Sequence, residues 1–131
     1  MAVYLDSSAL VKLIRGERES PALRVYLGSW PADQRASAAL ARVEVVRAVR
    51  PGGAFLVARA RTLLEGLVLL HLDLGLLDRA ASLDPAVLRG LDAIHLAAAE
   101  QLLPDLDALV AYDTRLLDAA AALGLPTASP A

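Results

Sequence analysis

Apolar residues along the chain fall into two kinds of run, and the two kinds alternate. Short unbroken runs suit buried strands: Val3–Leu5, a brief "ASAA" from 36, "LVLLHLD" from 67, "ALVAY" from 108 and "LPTAS" from 125. Between them, apolar positions recur at helical spacing. The first such stretch runs from Ala9 to about Arg15, after Asp6, Ser7 and Ser8, which supply N-cap chemistry. A second follows Pro21 and carries Leu23, Tyr26, Leu27 and Trp30, expected in a core or an interface. Helices are also predicted over 39–49, stopped by "RPGG", and over 54–66, ending at Gly66. Three more are predicted over 75–82, over "LDAIHLAAAEQLL" closed by Pro104, and over "TRLLDAAAALG".

Strands alternating with helices predict an α/β fold, with a central, mainly parallel sheet flanked by helices. No repeat, low-complexity segment or linker divides residues 1–131, so a single domain is expected. The mean hydropathy of +0.49 is high for a small domain. Yet the greasiest stretch, "GLVLLHLDLGLL", is broken by His71 and Asp73 and falls short of the roughly 18–20 residues that span a bilayer. The surplus aliphatic surface points to a partner or to self-association, with no membrane.

Cysteine is absent, which removes disulfides and thiolate metal sites. The first residues lack the basic-then-apolar order of a signal peptide, so a cytoplasmic location is expected. A net charge of −2 offers nucleic acid no bulk attraction, although twelve of the thirteen basic residues are Arg, the side chain best suited to grip phosphate.

The chemistry lies in four acids. Asp6 and Asp113 each follow an apolar strand, and acids just past the carboxyl ends of neighbouring parallel strands line the binding crevice of an open sheet. Glu44 lies inside "ARVEVVRAV" and Asp92 inside "GLDAIHLAAA", where an acid beside an apolar face needs a partner or a cation. Asp6, Asp92 and Asp113 each also fit a helix N-cap; only Glu44 has no such local role. Gathered in one cleft, the four would repel one another by several kcal/mol at an effective dielectric of about 20. Their carboxyls should then titrate above the ordinary range when no metal is bound. A divalent cation relieves that repulsion. Oxygen-only ligands favour Mg²⁺ or Mn²⁺ over zinc, and such a site suits in-line displacement at a phosphodiester.

These motifs resemble the PIN-domain ribonucleases, especially the VapC-type toxins of toxin–antitoxin pairs. "YLDSSALVKL" is similar to the family's opening strand and acid, "ARVEVVRA" to its second acidic motif, "LRGLDAIHLAAA" to the third and "LVAYDTRLLDAAAALGL" to the fourth. The resemblance implies a PIN-like fold and a quartet of Asp6, Glu44, Asp92 and Asp113 that is both catalytic and metal-binding. It also implies an RNA substrate cut to 5′-phosphate and 3′-hydroxyl ends, a homodimer, and a cognate antitoxin whose tail occupies the cleft. The chain departs from the family at Ala111, where a Ser or Thr often stands two residues before the last acid and would support it.

Other residues allow two readings. Ser7 suits either an N-cap or a contact that orients Asp6 or a bound water. His95, three residues after Asp92, shares its helical face but fits a packed, hydrogen-bonded structural role better. Arg42, Arg47 and Arg115 flank the acidic motifs and suit either RNA phosphates or ion pairs; Lys12 is similarly open. Asp118 falls on another face of its helix and is expected in solvent. A receiver-type signalling domain would need paired acids after the first strand and a late lysine, but Lys12 is the only lysine. A dehalogenase-like phosphatase would need an Asp at Ser8. The remaining rival is a catalytically inactive PIN-like module that only binds RNA or protein.

Overall fold

The computed structural model describes residues 1–131. Five strands, β1 (Ala2–Leu5), β2 (Arg35–Ala38), β3 (Val68–Leu70), β4 (Leu106–Val110) and β5 (Thr127–Ala128), form one sheet in the order β3-β2-β1-β4-β5. Every pairing is parallel. From β1 the chain builds outward to β3, then returns to the other side of β1 to lay down β4 and β5. The direction of winding reverses between β1 and β4, which makes the carboxyl ends of these two strands the natural site of a crevice.

Seven helices cover the two faces. On one side lie α1 (Ser7–Ile14), α2 (Ser20–Leu27), α3 (Ala41–Val49) and α4 (Ala54–Glu65). They pack Leu10, Leu23, Val45 and Leu64 against Val3, Leu5 and Val110. On the other lie α5 (Leu74–Ala81), α6 (Gly90–Glu100) and α7 (Thr114–Ala122), which pack Leu76, Leu96 and Leu116 against Tyr4 and Leu109. The alternation of side chains along a strand sends Tyr4 to one layer and its neighbours Val3 and Leu5 to the other. No helix is long and apolar enough to cross a membrane.

Where elements differ from the sequence pattern, a local interaction explains the difference. α1 starts at Ser7, two residues before the apolar periodicity, because the Asp6 side chain caps it by accepting from the Ala9 amide. The predicted 67–73 strand keeps only Val68–Leu70 in the sheet, because Asp73 is already the N-cap of α5. α6 closes at Glu100, short of Leu103, since a proline at 104 disfavours helical backbone at the residue before it. β4 begins earlier than "ALVAY" suggests. Ala2 faces Leu106 but Val3 faces Ala108, so Asp107 has no partner in β1 and the pleat skips a step. The freed Asp107 carboxylate accepts from Trp30 Nε1 (2.9 Å), and the Tyr26 ring packs tilted by 41° against that of Trp30 at 5.0 Å. Leu23 and Leu27 are core, as their spacing predicted.

After α7 the chain turns through Gly124 (φ +79), where the Leu125 amide reaches back to the Ala120 carbonyl and the Gly124 amide to that of Ala121. This glycine stop buries Leu125 and aims the chain into β5. Core truncation tests the layer arrangement. Leu96→Ala should lower stability by about 2–5 kcal/mol in urea denaturation, whereas Val43→Ala, at an exposed position of α3, should change it by about 0.5 kcal/mol or less.

Candidate active site

All four acids stand at the carboxyl end of the sheet or on the helices beside it. Asp6 directly follows β1 and is 5% exposed. Its Oδ1 accepts from the Ala9 amide (3.0 Å) and from Ser8 Oγ (2.7 Å). Ser8 Oγ in turn accepts from the Tyr112 amide (3.2 Å), which ties the first turn of α1 to the segment leaving β4. The Ser8 hydroxyl thus steadies Asp6 and the backbone next to Asp113. Asp113 comes three residues after β4 rather than at its last residue, and its Oδ1 caps α7 by accepting from the Arg115 amide (2.9 Å).

Glu44, on the first turn of α3, is half-buried. Its Oε1 accepts from Ser7 Oγ (2.6 Å) and from His95 Nε2 (2.7 Å). Ser7 therefore orients Glu44, and it is Ser8 that orients Asp6. The carboxylate on Nε2 calls for the ring proton there, and Nδ1 then takes the Tyr4 hydroxyl (2.7 Å). Burial pushes the Tyr4 phenol far above its ordinary range, so it remains a neutral donor. His95 is packed and hydrogen-bonded, as expected of a structural histidine, yet the group it holds is a candidate catalytic acid. The three-residue spacing from Asp92 was the available signal.

Asp92 enters on the first turn of α6. Sequence reasoning missed its partner, Arg89, which stands three residues earlier. Arg89 Nε lies 3.3 Å from Asp92 Oδ2, and Nη2 lies 3.2 Å from Asp113 Oδ2. As the side chains stand, no three acidic or histidine groups close around a single point that would hold an ion. Arg89 separates one pair of acids, and His95 takes up the inward oxygen of Glu44.

The donor set nonetheless suits a hard cation. Asp6, Glu44 and Asp92 each have one oxygen engaged by the protein, while Asp6 Oδ2, Glu44 Oε2 and Asp92 Oδ1 accept no hydrogen bond from it. Oriented carboxylates with a free oxygen are what Mg²⁺ and Mn²⁺ take. A guanidinium bridging Asp92 and Asp113 marks the same demand for positive charge.

The electrostatics split the acids. Burial pushes the Asp6 carboxyl above the usual range; Ser8, the Ala9 amide and His95 pull it part of the way back, and the charge of Glu44 adds to the rise. Glu44 goes the other way. Burial alone would raise it, but the hydrogen bonds donated by His95 and Ser7 outweigh burial and leave it below its ordinary value. The expected rise is found at Asp6, where burial is its main cause and crowding by Glu44 the smallest, and is corrected for Glu44, which has a buried histidine as its partner.

Arg42, Arg47 and Arg115 are exposed and enter no ion pair with a carboxylate side chain, so the ion-pair alternative for them falls away. Lys12 is committed within the fold: its ammonium lies 3.3 Å from both Glu17 and Glu19 and 4.7 Å from the centre of the Tyr112 ring. A groove of about 920 Å³ opens between the segment before α6 and α7. Val87, Leu88, Arg89, Asp92, Arg115 and Ala119 are among the residues that line it. Asp118 is exposed on the groove wall, away from the four acids' hydrogen bonds.

A model of the PIN domain matches residues 3–122, which contain all four acids and the whole β1–β4 crevice. The chain belongs to the PIN-domain family. Its curated relatives include Ribonuclease VapC46 of Mycobacterium tuberculosis, 49% identical over 129 residues that cover 98% of each protein. Ribonuclease VapC47 of the same species is 45% identical over 131 residues, covering 98% of this chain and 96% of that one. Among solved structures, a toxin–antitoxin complex from Klebsiella pneumoniae superimposes with a TM-score of 0.73 at 25% identity, over 100% of this chain and 98% of that one. The PIN assignment accounts for the α/β architecture with its sheet flanked by helices.

The two titration directions give opposite stability profiles for this PIN domain without metal. A carboxyl raised in the folded state favours folding at low pH, and the benefit is lost as pH rises through its folded value. Asp6→Asn keeps an N-cap oxygen and should therefore raise the melting temperature at neutral pH, with the gain fading on acidification. A lowered carboxyl stabilises above its unfolded value, and that contribution is lost as pH falls through the folded one. Glu44→Gln should lower the melting temperature at neutral pH, with a deficit that closes in acid. Melting curves of both variants in EDTA, from neutral pH to pH ~3, check the two signs.

Proposed function

We propose that this PIN domain is a metal-dependent endoribonuclease acting as the toxin of a toxin–antitoxin pair. The observation that carries the reading is the set of oriented, half-engaged carboxylates at the β1–β4 switch point. Two relatives named ribonucleases, matched over nearly their whole length, support RNA as substrate. The toxin–antitoxin complex among its structural neighbours supports an antitoxin as partner.

In this reading Asp6, Glu44, Asp92 and Asp113 hold one or two Mg²⁺ or Mn²⁺ ions. When bound, such an ion supplies charge neutralisation at the phosphodiester and acidifies a water. The chain's own groups do the rest. Ser8 and the Ala9 amide fix Asp6, Ser7 and His95 fix Glu44, and Tyr4 fixes His95. One carboxylate of the set takes a proton from the attacking water. The P–O3′ bond breaks as the new P–O bond forms, and the departing 3′ oxygen is protonated, leaving a 5′-phosphate and a 3′-hydroxyl. The exposure of Arg42, Arg47 and Arg115 and their freedom from ion pairs support a role as contacts for RNA phosphates. A homodimer and a cognate antitoxin complete the reading. The setting is cytoplasmic, and residues 1–131 act as a single domain.

Incubation of a defined RNA pool with wild type and Asp92→Asn, each in EDTA, Mg²⁺ or Mn²⁺, tests this directly. Cleavage should require metal and should fall by about 100-fold or more in the variant. RNA binding without cleavage in any metal would move the assignment to a binding module. Millimolar Mg²⁺ or Mn²⁺ should also raise the melting temperature, since the ion binds only the folded site.

A further inference from the structure

We propose that Arg89 is the resident counter-cation of the acid cluster, bridging Asp92 and Asp113 until a divalent ion displaces it. The inference rests on the metal-dependent reading above. Arg89 occupies the N-cap position of α6, where a guanidinium, having only donors, cannot cap the helix. Instead the guanidinium crosses to two acids on different elements, Asp92 on α6 and Asp113 at the start of α7, at 3.3 and 3.2 Å. One planar fork thereby takes one oxygen from each carboxylate.

The two side chains that partner the acids, His95 and Arg89, differ in how easily they leave. His95 is 3% exposed and pinned at both ring nitrogens, by Tyr4 and Glu44. The Arg89 side chain is 65% exposed and borders an open groove. Its pairs are therefore screened by water and individually weak, and it has space to move into. A divalent ion needs carboxylate oxygens at about 2.0–2.1 Å, and the guanidinium already claims Oδ2 of both acids. Metal and Arg89 compete for the same two carboxylates and for the gap between them.

The test measures Mn²⁺ affinity by calorimetry for wild type, Arg89→Gln and Arg115→Gln. Arg115 borders the same groove but has no carboxylate side-chain partner, so its loss removes equal charge without breaking a bridge. Arg89→Gln should bind Mn²⁺ about tenfold more tightly than wild type, and Arg115→Gln about twofold or less. In wild type, the Nε–Hε NMR signal of Arg89 should shift toward that of a solvated arginine as Mg²⁺ saturates the site. Equal tightening in both variants, no tightening in Arg89→Gln, or an unmoved Arg89 signal would overturn the role of Arg89 while leaving the metal site standing. If neither wild type nor Arg89→Gln binds Mn²⁺ at millimolar concentration, the metal-dependent reading itself fails, and this inference with it.

Discussion

The hydrogen bond from the Asp6 amide to the Val110 carbonyl (3.1 Å) carries the β1–β4 pairing one residue beyond the end of β1. It holds the backbone of the first acid against the strand that leads to the last one. The Tyr112 amide donating to Ser8 continues the same seam past the sheet. Because β1 is the central strand and the winding reverses beside it, this seam is where the layers part and a crevice opens. α3 and α6 complete it by bringing Glu44 and Asp92 from opposite faces of the sheet.

Like charges brought so close need compensation, and the chain supplies it unevenly. Glu44 is held by a buried relay, Tyr4 to His95 to Glu44, that crosses from one core layer toward the other. Asp92 and Asp113 share a single exposed guanidinium. Asp6, the most buried of the four, has only neutral donors for its hydrogen bonds and keeps a free oxygen. Stability and function therefore pull in different directions at Asp6: a better-compensated carboxylate there would favour the fold and leave less demand for a cation.

Much of this was legible in the residues. Unbroken apolar runs and helical periodicity report burial, which is a local consequence of sequence, so all five strands and seven helices were anticipated. Their ends were less legible, because ends are set by caps and pairing partners: the Asp73 cap shortened β3, and the unpaired Asp107 lengthened β4. The four acids stood out because each interrupts or terminates an apolar pattern. Arg89 did not, since an exposed arginine in a loop looks alike whether it meets solvent or two carboxylates. Ser7 and Ser8 both looked like caps, and only the packing of α1 against α3 and β4 sorted their hydroxyls between Glu44 and Tyr112.

The sequence by itself determined the class of fold, the order of its elements and which acids stand at their ends, because hydrophobic periodicity and capping act within a few residues. The tertiary structure alone decided which of those acids become neighbours and what compensates each. That is a matter of strand order and of contacts between residues up to 104 positions apart, as in the Ser8–Tyr112 bond. Charge acts through space, and distance in space is what the order of residues along a chain does not contain.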